Sequence, residues 1–567
     1  MRKPACSLCL PSVLTAAVLL SACGTTSPLQ SSDPTAACNS LGAPIPADRI
    51  GLPSGGATID SARLVAPGTL AVAERAPTPA AAITPAAPQH CQVLGRIAPL
   101  DPTAPPITFQ VNLPTRWNGR SVQYGGGGFN GVLITGLGLV PAAPYHLPSP
   151  LAQGYATVGT DSGHRSVPGQ PPQAFALNDE GLVNFAHASY KKVRDVAVEL
   201  MRRGYGRPPD KLYFAGSSEG GREGLTMAQR YPRDFNGIFS RVPVINWTGL
   251  QHAGTRNGLA TTGDAWIRPA QVKLVHDAVL ASCDASDGLV DGLVSDPVGC
   301  RGRFDVGSLR CRAGASGDNC LNDSQIRAVR TLHAPYRFDS PLANGVQEYP
   351  GWGVSGEGTP ASGPSGGWSA WWLGRAAPSM PPQPDNGIAW VYGSGAIQYF
   401  YARDPAFDLR KYDPKLFMPR IREISELMDA TNPDLTAFQA NGGKILMLEN
   451  MADYAQSPYA GIGYYEAVVA RMGRPVVDGF LRLFTAPGVD HVGTGAPANV
   501  DMLSALADWV ERERPPEGLQ LVAQDPRPPF AVSNSRPLCP WPQWPVYRSG
   551  VPTQAASFAC SSSGAPR

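Results

Sequence analysis

Two kinds of apolar pattern alternate along much of the chain. Residues 121–124 (Ser-Val-Gln-Tyr) and 155–158 (Tyr-Ala-Thr-Val) are short strand-like runs, each followed by a glycine-containing turn. Val193, Val196, Ala197, Leu200 and Met201 recur at i, i+3, i+4, i+7 and i+8, which predicts an amphipathic helix, with Gly204 where a C-cap belongs. A strand at 211–215 and a helix at 222–230, stopped before Tyr231-Pro232, come next. From about residue 246 to 434 the periodicity degrades into Gly-, Pro- and Trp-rich loops with clustered acids. Strand patterns resume at 443–448 and 480–484, followed by a helix at 502–511. Alternating strands and helices, interrupted once, predict an α/β core carrying a large inserted lid.

A chain of 567 residues is too long for one compact core. The expected division is a signal segment at 1–22, a Ser/Thr/Pro tether at 23–37, a first core part at 38–244, the lid at 245–436 and a second core part at 437–567. Residues 67–89, rich in Ala and Pro, read as an irregular extended stretch. Arg2 and Lys3 precede an apolar run at 13–20 that is too short to span a bilayer, as in an export signal. It ends in Leu20-Ser21-Ala22-Cys23, which resembles a lipoprotein box. That resemblance implies cleavage before Cys23, acylation of its thiol and anchoring in the cell envelope; an ordinary signal with a chance cysteine would give a secreted protein instead.

Cysteine usage agrees with export. Of 11 cysteines, Cys38, Cys91, Cys283, Cys300, Cys311, Cys320, Cys539 and Cys560 lie beyond the signal and Cys23. They are even in number and contain no CxxC pair, which predicts four disulfides rather than a zinc site. A formal net charge of +2 without long basic runs argues against nucleic acid as a partner.

The chemistry concentrates at Gly216-Ser217-Ser218-Glu219-Gly220, a GxSxG match between the 211–215 strand and the 222–230 helix. Strand, sharp turn and helix together expose a serine oxygen beside free backbone N–H groups, as in an α/β-hydrolase core. A second match, Gly363-Pro364-Ser365-Gly366-Gly367, has neither strand nor helix, and Ser365 reads as a loop residue. Ser218 needs a base and an orienting acid. Of eight histidines, His491 is the one beyond Ser218 that follows a late core strand. Asp453, just past the 443–448 strand, is the favoured acid, with Glu449 and Asp490 as rivals. The N–H of Glu219 and one from the Gly125–Gly128 run are the candidate oxyanion donors.

These residues resemble the tannase/feruloyl esterase family. Tyr205-Gly-Arg-Pro-Pro, Tyr213-Phe-Ala-Gly-Ser-Ser-Glu-Gly-Gly-Arg-Glu-Gly224, Gln229-Arg-Tyr-Pro, Gly154-Tyr-Ala-Thr, Asp161-Ser-Gly-His164 and Met451-Ala-Asp453 carry the likeness. It implies an α/β-hydrolase core with a large lid, hydrolysing esters of aromatic or hydroxyaromatic acids. It places the triad on Ser218, Asp453 and His491 and the oxyanion donors on Gly128 and Glu219. It also implies the pairs Cys38–Cys91, Cys283–Cys300, Cys311–Cys320 and Cys539–Cys560. The family usually ties nucleophile to histidine by a disulfide between the residue before the serine and the residue after the histidine. Here those positions are Ser217 and Val492.

Two lid features complete the expectations. Asp284, Asp287 and Asp291 suit either a solvated acidic turn or a Ca²⁺ loop. The resemblance favours structural Ca²⁺, with carbonyls from Leu289 and Leu293. Trp368, Trp371 and Trp372 could wall the substrate or fill a lid core; the resemblance puts Trp371 at the substrate. One family activity, hydrolysis of mono(2-hydroxyethyl) terephthalate, would be served by an arginine clamp later in the lid. The stretch 384–390 holds no arginine, and Arg375 is merely nearby. That activity is therefore an alternative. Another serine hydrolase, such as a peptidase or thioesterase, and a weakly catalytic binding lipoprotein of the same fold are the others.

Overall fold

The computed structural model describes residues 28–31, 33–68, 86–358 and 367–562. The signal at 1–22, Cys23 and Ser365 lie outside the described residues, as does most of the Ala/Pro stretch. Seven strands precede the insertion: β1 (Ala57–Val65), β2 (His90–Ile97), β3 (Ile107–Pro114), β4 (Arg120–Tyr124), β5 (Ala156–Thr160), β6 (Lys211–Ser217) and β7 (Gly237–Arg241). Within it, β8 (Tyr336–Arg337) and β9 (Glu348–Tyr349) form a small antiparallel pair. After it come β10 (Lys444–Asn450), β11 (Leu481–Ala486), β12 (Gln520–Gln524), β13 (Val532–Pro537) and β14 (Cys539–Pro540).

Ten of these strands make one sheet in the order β1-β2-β3-β5-β4-β6-β7-β10-β11-β14. The six central strands, β5 to β11 in that order, are parallel, and their C-terminal ends share one edge. All seven residues of β10 are buried, as expected for a parallel strand covered on both faces. Its side chains alternate between two apolar layers. Ile445 and Met447 pack with residues of helices Ser189–Tyr205, Glu219–Arg230 and Pro458–Met472, whereas Leu446 and Leu448 pack with helix Met502–Arg512.

The insertion between β7 and β10 contains helices Trp247–Ala260, Pro269–Cys283, Asp323–His333, Ile388–Gly395 and Pro414–Met428. Val272, Val275, Ile326, Val329, Trp352, Trp368 and Trp372 form a lid core that also takes in Tyr454 and Ala455 from the loop after β10. All four disulfides join the expected partners, with Cys283–Cys300 and Cys311–Cys320 inside the lid. Among the described residues no helix is long and apolar enough to cross a membrane.

Two local expectations are corrected. Gly204 does not cap its helix, which runs on to Tyr205; the left-handed cap is Gly206, at φ 75°. Tyr205 is held by stacking on Trp117 at 4.0 Å and by donating its hydroxyl to Pro114 O, so the helix gains another buried contact before it ends. Gly204 instead lies against buried Leu29. The expected tether is also partly ordered: Pro34–Asn39 is a helix capped by Asp33 and stapled to β2 through Cys38–Cys91.

Candidate active site

Ser218 stands between β6 and helix Glu219–Arg230 with φ 61° and ψ −121°, a strained conformation for a side-chain-bearing residue. Its N–H donates to Arg241 O, and its carbonyl accepts from Val244 N, so the end of β7 fixes the turn. Glycines are obligatory beside it. A Cβ on Gly216 would overlap the carbonyl of Gly220, and one on Gly220 would sit 2.7 Å from Gly126 O. The sharp turn aims Oγ out of the sheet edge while the helix N-terminus stays beside it.

His491 and Asp453 arrive from the loops that follow β11 and β10. Ser218 Oγ lies 3.1 Å from His491 Nε2, and His491 Nδ1 lies 2.7 Å from Asp453 Oδ2. The other Asp453 oxygen accepts from Ala455 N and Gln456 N, which orients the carboxylate. Neither rival acid is free for the role. Asp490 Oδ1 accepts from the N–H groups of Val492, Gly493 and Thr494 and so folds the histidine loop. Glu449 is fully buried, and burial, with Asp453 nearby, pushes its carboxyl well above the usual range.

The glycine run reaches the serine from the end of β4. Gly128, at φ 60°, and Glu219 both line the cavity with Ser218, and neither N–H has a protein acceptor among the described residues. Three residues that sequence reasoning missed hold this run. Glu223 accepts from Gly126 N at 2.8 Å and from Asn130 Nδ2 at 2.7 Å, and Asn130 Oδ1 accepts from Gly127 N at 2.7 Å. His164 Nε2 lies 2.7 Å from Phe129 O; burial lowers its pKa to about 4, so it serves as a neutral donor there. Glu223 is one turn beyond Glu219 on the same helix, a spacing that could have flagged it. Burial, and then the neighbouring Glu219, push Glu223 up to about 7.

Above Ser218 is a small, partly open cavity walled by Phe129, Val244, Trp247, Leu250, Trp371 and Tyr392, with Gln251 and Gln456 as its polar lining. No lysine or arginine lines it. The three tryptophans divide: Trp371 lies in this wall, 6.3 Å from the His491 ring, while Trp368 and Trp372 are buried in the lid core. Gln456 is buried, and neither of its side-chain amide atoms has a partner among the described residues.

A family model described as "Tannase and feruloyl esterase" matches residues 91–561. The chain is 37% identical over 540 residues to an uncharacterized esterase of Agrobacterium fabrum, covering 92% of this chain and 93% of that one. The chain belongs to the tannase and feruloyl esterase family. It is a carboxylic-ester hydrolase. A mono(2-hydroxyethyl) terephthalate hydrolase of Piscinibacter sakaiensis is 32% identical over 535 residues, covering 85% and 86% of the two chains. The fold matches the crystal structure of feruloyl esterase B from Aspergillus oryzae, with TM-score 0.73, 23% identity, and 93% and 100% of the two chains covered.

In this tannase/feruloyl-esterase-family chain the acidic lid loop holds its carboxylates close to its own amides. Asp284 accepts from Asp291 N and Gly292 N, Asp287 from Leu289 N, and Asp291 from Leu293 N. Asp291 also pairs with Arg536 at 2.6 Å, one cation for three carboxylates. Burial raises the Asp287 pKa, and Asp291 and Asp284 add to the rise. The donors suit a hard divalent ion. Their side chains, however, face loop N–H groups, and no three His, Cys, Asp or Glu among the described residues are grouped as a metal site.

Proposed function

We propose that this esterase hydrolyses esters of aromatic, hydroxyl-bearing carboxylic acids through an acyl-Ser218 intermediate. The observation that carries the proposal is the continuous relay from Ser218 Oγ through His491 to Asp453, beside two N–H groups without protein acceptors. His491 takes the serine proton as Oγ attacks the ester carbonyl, and the developing oxyanion is held by Gly128 N–H and Glu219 N–H. Collapse expels the alcohol, which leaves with the proton from His491. Water then repeats the sequence: His491 removes its proton, the hydroxide oxygen attacks the acyl carbon, and Ser218 leaves protonated. Asp453 keeps the imidazole oriented and stabilises its charged form.

The aromatic wall, with Trp371 facing His491, favours a flat acyl group. Gln251 and Gln456 offer neutral donors and acceptors, which suit hydroxyl substituents. The relative named for terephthalate monoesters keeps that substrate in view. A cavity without lysine or arginine, however, gives a free carboxylate no ionic partner. We extend the proposal to Ca²⁺, held by Asp284, Asp287 and Asp291 with the carbonyls of Leu289 and Leu293 to stabilise the lid, and to export with a lipid anchor on Cys23. Four disulfides accord with an oxidising compartment.

The test is turnover of methyl ferulate, methyl gallate, mono(2-hydroxyethyl) terephthalate and a short p-nitrophenyl ester by wild type and Ser218→Ala. Serine-dependent turnover of the hydroxylated aromatic esters above the other two is the expected result. A preference for the terephthalate monoester would overturn the acyl assignment, and full activity of Ser218→Ala would overturn the mechanism.

A further inference from the structure

In the sheet, β7 lies between the nucleophile strand β6 and the acid strand β10, with Arg241 in register with Ser217 on one side and Leu448 on the other. Its last residue therefore emerges under the middle of the triad. Arg241 is only 5% exposed, an expensive place for a guanidinium without a purpose or full pairing. Its Nη1 donates to Ser217 Oγ at 2.9 Å, and its carbonyl accepts from Ser218 N, so main chain and side chain both grip the nucleophile turn. On its far side Nη2 packs against the histidine loop, 3.1 Å from where a Cβ on Gly493 would be. The carboxyl groups of Asp453, Asp490 and Glu449 surround its charge, and no carboxylate lies within 4.0 Å of it as an ion pair among the described residues.

The three segments of the triad are not joined equally. The acid and histidine loops are tied directly by Met451 N to Ala486 O, Ala452 N to Val489 O, and Asn450 Nδ2 to Asp490 O. Between the nucleophile turn and the histidine loop, by contrast, the one hydrogen bond among the described residues is Ser218 to His491 itself. That bond must break and re-form in every turnover, so it cannot hold the separation it depends on. Arg241 fills this gap.

We propose that Arg241 is a positioning residue of the triad, a buried clamp that sets the nucleophile turn against the histidine loop and so fixes the Ser218–His491 distance. This rests on the acyl-Ser218 reading above. The guanidinium suits the task because its planar fork reaches two segments at once and carries a charge that the surrounding carboxyls retain. It touches neither the ester nor the attacking oxygen.

Arg241→Met, Arg241→Lys and Ser217→Ala, each checked for folding by thermal melting, are assayed for kcat and KM on the best aromatic ester and for the rate of fluorophosphonate acylation. An ångström-scale drift of the triad predicts that Arg241→Met loses about 100-fold in kcat and acylation rate, with KM within about threefold of wild type. Arg241→Lys, which keeps the charge and part of the reach, recovers about tenfold of that loss. Ser217→Ala, which removes one acceptor and leaves a buried guanidinium N–H unpaired, lowers kcat about fivefold and the melting temperature by a few degrees. A folded Arg241→Met enzyme that melts earlier yet keeps wild-type kcat would show a merely structural arginine and overturn the proposal. If Arg241→Met does not fold, an unchanged kcat in Ser217→Ala overturns it instead. Ser218→Ala run alongside separates this failure from that of the mechanism, since activity surviving there removes the triad itself.

Discussion

Glu223 illustrates how one side chain trades stability for catalytic geometry. It is buried, its carboxyl is pushed up to about 7, and in its ionised form both oxygens accept, from Gly126 N and Asn130 Nδ2. A folded-state value above the ordinary carboxylate value favours the folded protein most below the unfolded pKa, and this is lost as pH rises through about 7. Glu223→Gln removes that dependence but places an amide N–H₂ against one of the two donors. Its kcat should fall by about tenfold with KM little changed, because Gly128 loses its support. Its melting temperature relative to wild type should rise between pH 5 and pH 8. Melting curves at the two pH values check the sign, and a difference independent of pH would contradict the assignment. Asp490 makes a related point: it adjoins His491 in sequence, yet its oxygens are used to fold the loop that presents the histidine.

At the scale of elements, the passage from β6 into helix Glu219–Arg230 depends on close backbone approach. Gly216 cannot carry a Cβ without displacing the Gly220 carbonyl, so Gly216→Ala should push the helix N-terminus away from Ser218. A stability loss of about 1–3 kcal/mol and a large fall in kcat are expected. Gly463, exposed within helix Pro458–Met472 and with nothing near its Cβ position, is the control. There Gly463→Ala should stabilise by about 0.5–1 kcal/mol and leave kcat alone. Urea unfolding and steady-state kinetics on both variants distinguish local crowding from a general effect of losing a glycine. The same scale explains the misplaced helix end: periodicity identified the buried stripe from Val193 to Met201, but the contacts that carry the helix on to Tyr205 come from β3 and the loop before β4.

For the whole molecule, the lid carries two disulfides and an apolar cluster that also takes in Tyr454 and Ala455 beside Asp453, so it is packed directly onto the catalytic edge of the sheet. The acidic loop is tied by Arg536 to the C-terminal part of the core, so charge balance there bears on how the lid is held. If Ca²⁺ completes that balance, removing it with EGTA should lower the melting temperature by several degrees, and added Ca²⁺ should restore it. Asp287→Asn should reduce the response. No change in melting on chelation would leave the loop as a hydrogen-bonded turn closed by arginine alone.

The sequence by itself determined what local pattern and chemical type can determine. The apolar periods gave the α/β core and its interruption, the strand–GxSxG–helix order singled out Ser218 as the candidate nucleophile, and the late position of His491 made it the candidate base. Asp453 was also legible as the candidate acid, because the acid had to follow a core strand and its rivals were poorly placed. What lay beyond reach were contacts between segments far apart in the chain. Arg241 ends an ordinary-looking strand and acquires its place only because β7 is threaded between β6 and β10. Gln456 acquires its unpartnered burial, and Trp371 and Trp372 are divided between the cavity wall and an apolar core, only through the packing of the lid on the sheet edge. Periodicity reports which face of an element is apolar, whereas the neighbour that covers that face is set by strand order and layer packing. For this reason the candidate nucleophile could be found in the sequence, and the contacts that surround it could be found only in the fold.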